Sequence, residues 1–357
     1  MRNLVTRCAF LSCLVAVVLS SAAAGGTGDD ISAAERAARD AFMKLNANMI
    51  GKGGGRSRLH DGAEVYGLDL WYKKATDEHL KYLDDLPKLR HVVLHGDKIT
   101  DAGMPHLAAV PHLETLKLMY TAVSDAGLKH LRSLEGLKKL SLYENKRITT
   151  AGLAHLAELP GLESLLIGGL RMDDAAMSHL KNMKNLRHLQ IKGSLTPEGL
   201  AHLRGAGQLE SLSGSFPDQA LAYIAANFPG LKVLRNSGRN VTDAGMAHIA
   251  KLTGLEKLSV LSRRITDRGI AHISELSNLK RLRTRSANIT DQGLEHLGDL
   301  KNLEELNLYA AGITDEGLAH LAGLENLKKL YVMKTEVTEE GAEEFKKSLP
   351  DVKIILR

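Results

Sequence analysis

Beyond residue 13 the chain has no cysteine, since its only two, Cys8 and Cys13, lie in the first apolar segment. Everything downstream is therefore denied a disulfide, a thiolate nucleophile and a cysteine metal site. Aromatic residues are scarce as well, at 4% of 357 positions, so any core must be filled by leucine. Charge of one sign is also missing. Taking Arg2 and Arg7 from the 47 basic residues leaves 45 against 42 acidic ones, a net +3, which gives no reason to expect nucleic acid as a partner. Neither G-x-S-x-G nor H-E-x-x-H occurs, and GKGGGR at 51–56 lacks both the G-x-x-x-x-G-K-[ST] frame and a preceding strand. No catalytic constellation and no cofactor site is expected.

The first 24 residues carry Arg2 and Arg7 as their only charges, then CAFLSCLVAVVL, then SSAAAG. This order of basic, apolar and small residues is that of a secretory signal, with Ala22 and Ala24 placing cleavage before Gly25. The chain is thus expected to be exported, periplasmic or secreted, with no membrane span once the signal is removed. Residues 25–64 are assigned to a capping helix and a glycine-rich linker. In the helix, ISAAERAARDAFMKLNANMI at 31–50, Ser32 and Glu35 form a capping box and Phe42, Leu45 and Met49 share a stripe.

From residue 65 onward one phrase recurs. Aligning I-T-D-x-G-L-x-H-L places repeat starts at Ile99, Val123, Ile148, Met172, Leu195, Phe216, Val241, Ile265, Ile289, Ile313 and Val337, mostly 24 residues apart. In ITDEGLAHLAGLENLKKLYVMKTE, residues 313–336, Leu318, Leu321 and Leu324 are spaced for one face of a helix, whereas Leu330 and Val332 are spaced for one face of a strand. Each repeat is one helix and one strand, with Thr and Asp at the helix start. The short link to the next helix forces successive strands to pair in parallel. VYGLDLWYKK at 65–74 is expected as the first strand, and the degenerate unit from Val337 as the C-terminal cap of a domain spanning 65–357. The unit from Leu195 is short, Gly214 stands where a strand leucine belongs, and Asn236 and Thr284 occupy inward aliphatic positions; repeat drift is the simplest account of these slips.

The segments LETLKLMYT at 113–121 and LKKLSLYEN at 137–145 resemble the L-x-x-L-x-L-x-x-N/T signature of leucine-rich-repeat proteins. The T-D-x-G-L-x-H-L phrase is most similar to exported bacterial members, and also to the repeats of F-box substrate receptors. The resemblance implies an α/β leucine-rich-repeat solenoid, a horseshoe with an inner parallel β-sheet and outer helices, whose strand face binds a protein. A non-enzymatic binding module is expected; a substrate-recognition subunit like the F-box receptors, or a binder of an acidic glycan, are the alternatives.

Outward strand positions supply the candidate site. Arg281, Arg283 and Arg285 alternate along one strand and should face the same concave side about 7 Å apart, where their mutual repulsion calls for an anionic partner. Arg235 and Lys257 extend the cluster, Glu305 offsets part of it, and Tyr309 offers a ring to a cation. Trp71 and Tyr143 toward one end, with Tyr309 and Tyr331 toward the other, are anchor types, and Tyr72, Met119 and Met333 accompany them. A solvated basic strand is the competing account. Nine histidines share one helix column, but helices 8 to 10 Å apart cannot place two imidazoles on one metal, so no metal site is expected.

Overall fold

The computed structural model describes residues 32–51, 64–169, 173–206 and 208–356. The signal segment with its cleavage site at Gly25, most of GKGGGR and the repeat start at Met172 lie outside the described residues. The chain divides into two compact units, one ending at Arg147 and one beginning at Ile148.

The first unit carries strands β1 (Asn48–Ile50), β2 (Gly67–Asp69), β3 (His91–His95), β4 (Thr115–Met119) and β5 (Lys139–Tyr143). The second carries β6 (Ser164–Gly168), β7 (His188–Ser194), β8 (Ser211–Ser215), β9 (Val233–Asn236), β10 (Lys257–Val260), β11 (Arg281–Thr284), β12 (Glu305–Leu308), β13 (Lys329–Tyr331) and β14 (Lys353–Ile355). From β2 onward neighbouring strands within each unit pair in parallel, with short helices between them; this is leucine-rich-repeat architecture. The expected periods hold. Leu318, Leu321 and Leu324 are buried from the helix side, and Leu330 and Val332 from the strand side.

The N-terminal cap differs from expectation. Its helix spans Ala33–Lys44, with Ser32 Oγ accepting from the Glu35 N–H at 3.0 Å, but Met49 belongs to β1, which pairs antiparallel with β2. Asn46 at φ 52° turns the chain back, so Met49 is buried from a strand rather than from the helix stripe. The strand expected at 65–74 is only Gly67–Asp69, and Trp71 and Tyr72 lie in the turn after it. Asp69 Oδ1 accepts from the Trp71 N–H at 2.9 Å and Tyr72 has φ 54°, which ends the strand.

The T-D-x-G phrase is an inter-repeat lock. Asp291 accepts twice from the next repeat's Thr314, from its N–H at 2.9 Å and its hydroxyl at 2.7 Å, and that same hydroxyl accepts from the Glu316 N–H at 3.3 Å. The same pair of bonds joins Asp77 to Thr100 in the first unit and Asp218, Asp243, Asp267 and Asp315 to the following threonines in the second. Glycine follows because the carboxylate needs the space: a Cβ on Gly293 would lie 2.4 Å from Asp267 Oδ1.

The irregular positions are not drift. Gly214 leaves room for the Phe216 ring, whose Cζ lies 2.5 Å from where a Cβ would be, and the shortened unit is matched by a register shift between Gln190 and Ser194 in β7. Asn236 is buried and fully engaged, its Oδ1 accepting from the Phe216 and Gly238 N–H groups and its Nδ2 donating to the Phe216 carbonyl at 2.7 Å. Thr284 is the exception. Its buried hydroxyl has no partner, although it lies in register between Val260 and Leu308.

Two expected outcomes follow from these positions. Gly293→Ala should cost about 1 to 3 kcal/mol, because the new methyl displaces a carboxylate held by two hydrogen bonds. Combined with Asp267→Ala the loss should fall short of the sum of the single losses; an additive double mutant in denaturant unfolding would show that the two groups do not compete for space. Thr284→Val should raise stability by about 1 kcal/mol, since a methyl replaces an unsatisfied hydroxyl of the same shape. A lower denaturation midpoint for this variant would mean that the hydroxyl is satisfied in solution.

Candidate functional site

The nine candidate residues fall into two sets. Trp71 and Tyr143 belong to the first unit, and Arg235, Lys257, Arg281, Arg283, Arg285, Tyr309 and Tyr331 to the second.

In the second unit the strand register sets the outward side chains in rows. Lys257, Arg281, Glu305, Lys329 and Lys353 are successive cross-strand partners, and so are Arg235, Ser259, Arg283, Asn307 and Tyr331. The first row sets Lys257 opposite Arg281 and Lys329 opposite Lys353, like charges whose repulsion disfavours the sheet. Arg281 faces Lys257 on one side and reaches Glu305 on the other in a long ion pair, Nε to Oε2 at 3.9 Å. Arg283, between Ser259 and Asn307, is exposed and has no ion pair among the described residues. The other nearby acids are engaged one residue earlier, at the strand entrances. Glu210 meets Arg187 at 2.8 Å and Lys232 at 3.2 Å, Glu256 meets Lys280 at 3.0 Å, and Glu304 meets Lys328 at 3.4 Å. Hydrogen bonds from Lys232 and Arg187 hold the Glu210 carboxyl below its usual range, and Lys280 does the same for Glu256.

The three arginines do not share one strand, contrary to the sequence expectation. β11 ends at Thr284, and the buried Ser286 turns the chain inward by donating to the Ile265 carbonyl at 2.6 Å. Arg285 lies one residue past the strand, still on the outward side, and its guanidinium is 4.9 Å from the centre of the Tyr309 ring in the next repeat, as the sequence expectation placed it; that ring also receives the Lys334 ammonium at 5.6 Å. Tyr309 thus serves two cations. Beside Arg283, the Oδ1 atom of Asn307 is buried without a hydrogen-bond partner.

In the first unit Trp71 and Tyr143 are the ends of a continuous row of rings. Trp71 lies 5.0 Å from His95 and 5.4 Å from Tyr72, Tyr72 lies 4.5 Å from His95, and the row continues through Tyr120 to Tyr143 at 5.4 and 5.7 Å. Sequence reasoning overlooked Tyr120 because strict alternation points to Met119 as the outward residue. Met119 is buried instead, and Tyr120, at φ 56°, swings its ring to the surface. The available signal was the column itself, where Tyr72, Gly96, Tyr120 and Glu144 recur at the repeat spacing and all have positive φ. The histidine column runs along the helices, with His272, His296 and His320 exposed.

His91, on the outward face of β3, has a buried Nδ1 without a partner. Burial holds its pKa below the ordinary 6.5, opposed by Glu114 and reinforced by Lys139, Arg90 and Lys117. A lowered folded value means that the unfolded chain takes up the proton first, so the native state loses stability as pH falls below about 6.5 toward the folded value. Unfolding at about pH 7.5 and about pH 5 should show a larger loss for the parent than for His91→Gln. Equal losses would mean that His91 is proton-accessible in the native state.

Three comparisons bear on this arrangement. A leucine-rich-repeat family model matches residues 111–134. No curated protein matches the chain. Among solved structures, an internalin from Listeria monocytogenes is 22% identical over 90% of this chain and 93% of its own, with a TM-score of 0.53. A leucine-rich-repeat protein from Leptospira interrogans is 16% identical over 80% and 94%, at a TM-score of 0.35. At 22% identity the likeness to the internalin is one of fold, and it agrees with the repeat register and the buried leucines. The chain has the fold of leucine-rich-repeat proteins, and one of its repeats matches that family's model.

Proposed function

We propose that this protein is an exported, non-enzymatic binding module that recognises an acidic protein partner through the strand face of its second unit. The observation that carries the reading is the row of outward cations at Lys257, Arg281, Lys329 and Lys353, with Arg283 in the adjoining row and Glu305 as the acid among them. Repulsion between such neighbours is relieved when carboxylates bridge them, and guanidinium groups do this with two parallel hydrogen bonds. Tyr309 and Tyr331 supply the ring surface that anchors a partner beside the charges. Export rests on the signal pattern of residues 1–24, and the non-enzymatic character on the lack of any nucleophile and base motif.

The test replaces Arg281, Arg283 and Arg285 with serine and titrates parent and variant with an oligo-glutamate peptide at about 0.05 M and about 0.3 M salt. The parent should bind more weakly at the higher salt, and the variant should lose about tenfold or more in affinity together with most of that salt response. Folding should be unaffected, since Arg281 and Arg283 face water and their removal relieves repulsion. Unchanged affinity and salt response in the variant would exclude this face. Binding of a sulfated oligosaccharide but not of the peptide would reassign the partner to an acidic glycan.

A further inference from the structure

The row of rings in the first unit is independent of the basic rows and suits a different ligand chemistry. Tyr72 and Tyr120 occupy equivalent positions two strands apart, immediately after the β2 turn and after β4, with φ 54° and 56°. The equivalent position between them is Gly96, and nothing lies within 4 Å of where its Cβ would be. His95, 4.5 Å from the Tyr72 ring and 5.4 Å from the Tyr120 ring, bridges the two, so the rings form one continuous surface beside the open position at Gly96. Trp71 and Tyr143 continue the ring surface on either side.

This arrangement works against the backbone. A non-glycine residue in the left-handed region costs about 1 to 3 kcal/mol, whereas glycine, as at Gly96, adopts it freely. Tyr72 is 67% exposed, so its ring does not repay that cost by filling the core. The same left-handed turn recurs at Glu144, Ala310 and Lys334, so it belongs to the repeat, and the first unit uses it at Tyr72 and Tyr120 to carry rings.

We propose that this ring surface takes a proline-rich segment of a partner held in the polyproline II conformation. Equivalent side chains two strands apart are about 9.6 Å apart. One three-residue turn of polyproline II advances about 9.3 Å, so a segment laid across the strands presents the same side to Tyr72 and again to Tyr120. Polyproline II has no internal hydrogen bonds, which leaves its carbonyls open to donors. The Trp71 indole N–H and the hydroxyls of Tyr72 and Tyr143 line the row and have no hydrogen-bond partner among the described residues. Flat aromatic walls with a few donors are the general means of recognising this conformation.

Trp71 is the only tryptophan in the chain, so its emission reports on the row alone. The full chain is titrated with an acetylated peptide of about ten prolines, with a Gly/Ser peptide of equal length and with cellohexaose. The variants are Tyr72→Gly and Tyr120→Gly, which remove a ring while leaving a residue that accepts the left-handed backbone, and Arg283→Ser serves as a control in the other unit. The oligoproline should change Trp71 emission saturably, each glycine variant should weaken that binding about tenfold or more, and Arg283→Ser should leave it unchanged. If Tyr120→Gly melts early, Tyr72→Gly decides the matter, because its exposed ring contributes little to the core. No saturable response to oligoproline overturns the proposal, and a response to cellohexaose alone assigns the surface to a glycan. Parent-like oligoproline binding in both glycine variants marks the rings as staples between strands.

Discussion

An aspartate that opens one repeat's helix and accepts two hydrogen bonds from the threonine opening the next is the interaction on which the rest of the structure depends. It performs three tasks with one carboxylate. It sits at the positive end of its own helix, it satisfies a backbone N–H of the following repeat, and it orients the threonine hydroxyl so that this oxygen can cap that repeat's helix. Hydrogen bonds to a charged acceptor contribute about 1.5 to 3 kcal/mol each, more than a neutral pair. The lock also dictates its own neighbour, since only glycine leaves space for the carboxylate at the column of Gly269, Gly293 and Gly317.

Because the lock and the leucines hold the spacing, outward strand positions are relieved of structural duty. The second unit uses this freedom for charge and the first unit for rings. Neither choice is neutral. Lys257 beside Arg281 and tyrosine at positive φ both raise the energy of the unliganded protein, and both leave it with surface that a partner of suitable chemistry would stabilise. Arg285 is the instructive case. It lies one residue past β11, and its guanidinium settles over Tyr309 in the next repeat, so one of the three cations is held against a ring and not against another charge.

Departures from the repeat are handled by packing or hydrogen bonding close at hand. Phe216 fills the volume vacated at Gly214, and Asn236 replaces an aliphatic contact with three hydrogen bonds to the backbone. Thr284 keeps the shape of its aliphatic neighbours but leaves its hydroxyl unpaired, which marks it as a tolerated flaw and not a device. A buried polar residue in a repeat column can thus be a brace or a defect, and the difference lies in whether backbone donors and acceptors come within reach.

The sequence by itself determined the period, the helix and strand in each repeat, the buried leucines and the outward rows, because these depend on spacings of two, three and 24 residues that side-chain geometry converts directly into faces. It also contained most of the candidate surface, since Lys257, Arg281, Arg283 and Tyr331 follow from alternation alone. Tertiary structure decided what alternation cannot describe. The aspartate's threonine lies 23 residues away along the chain, and only stacking of repeats brings it near. Tyr72 and Tyr120 sit just past their strand ends, where a positive φ directs the ring, and Arg285 also lies beyond the end of its strand. Spacing specifies a face only while the backbone stays regular, and the residues richest in chemistry here lie where it turns.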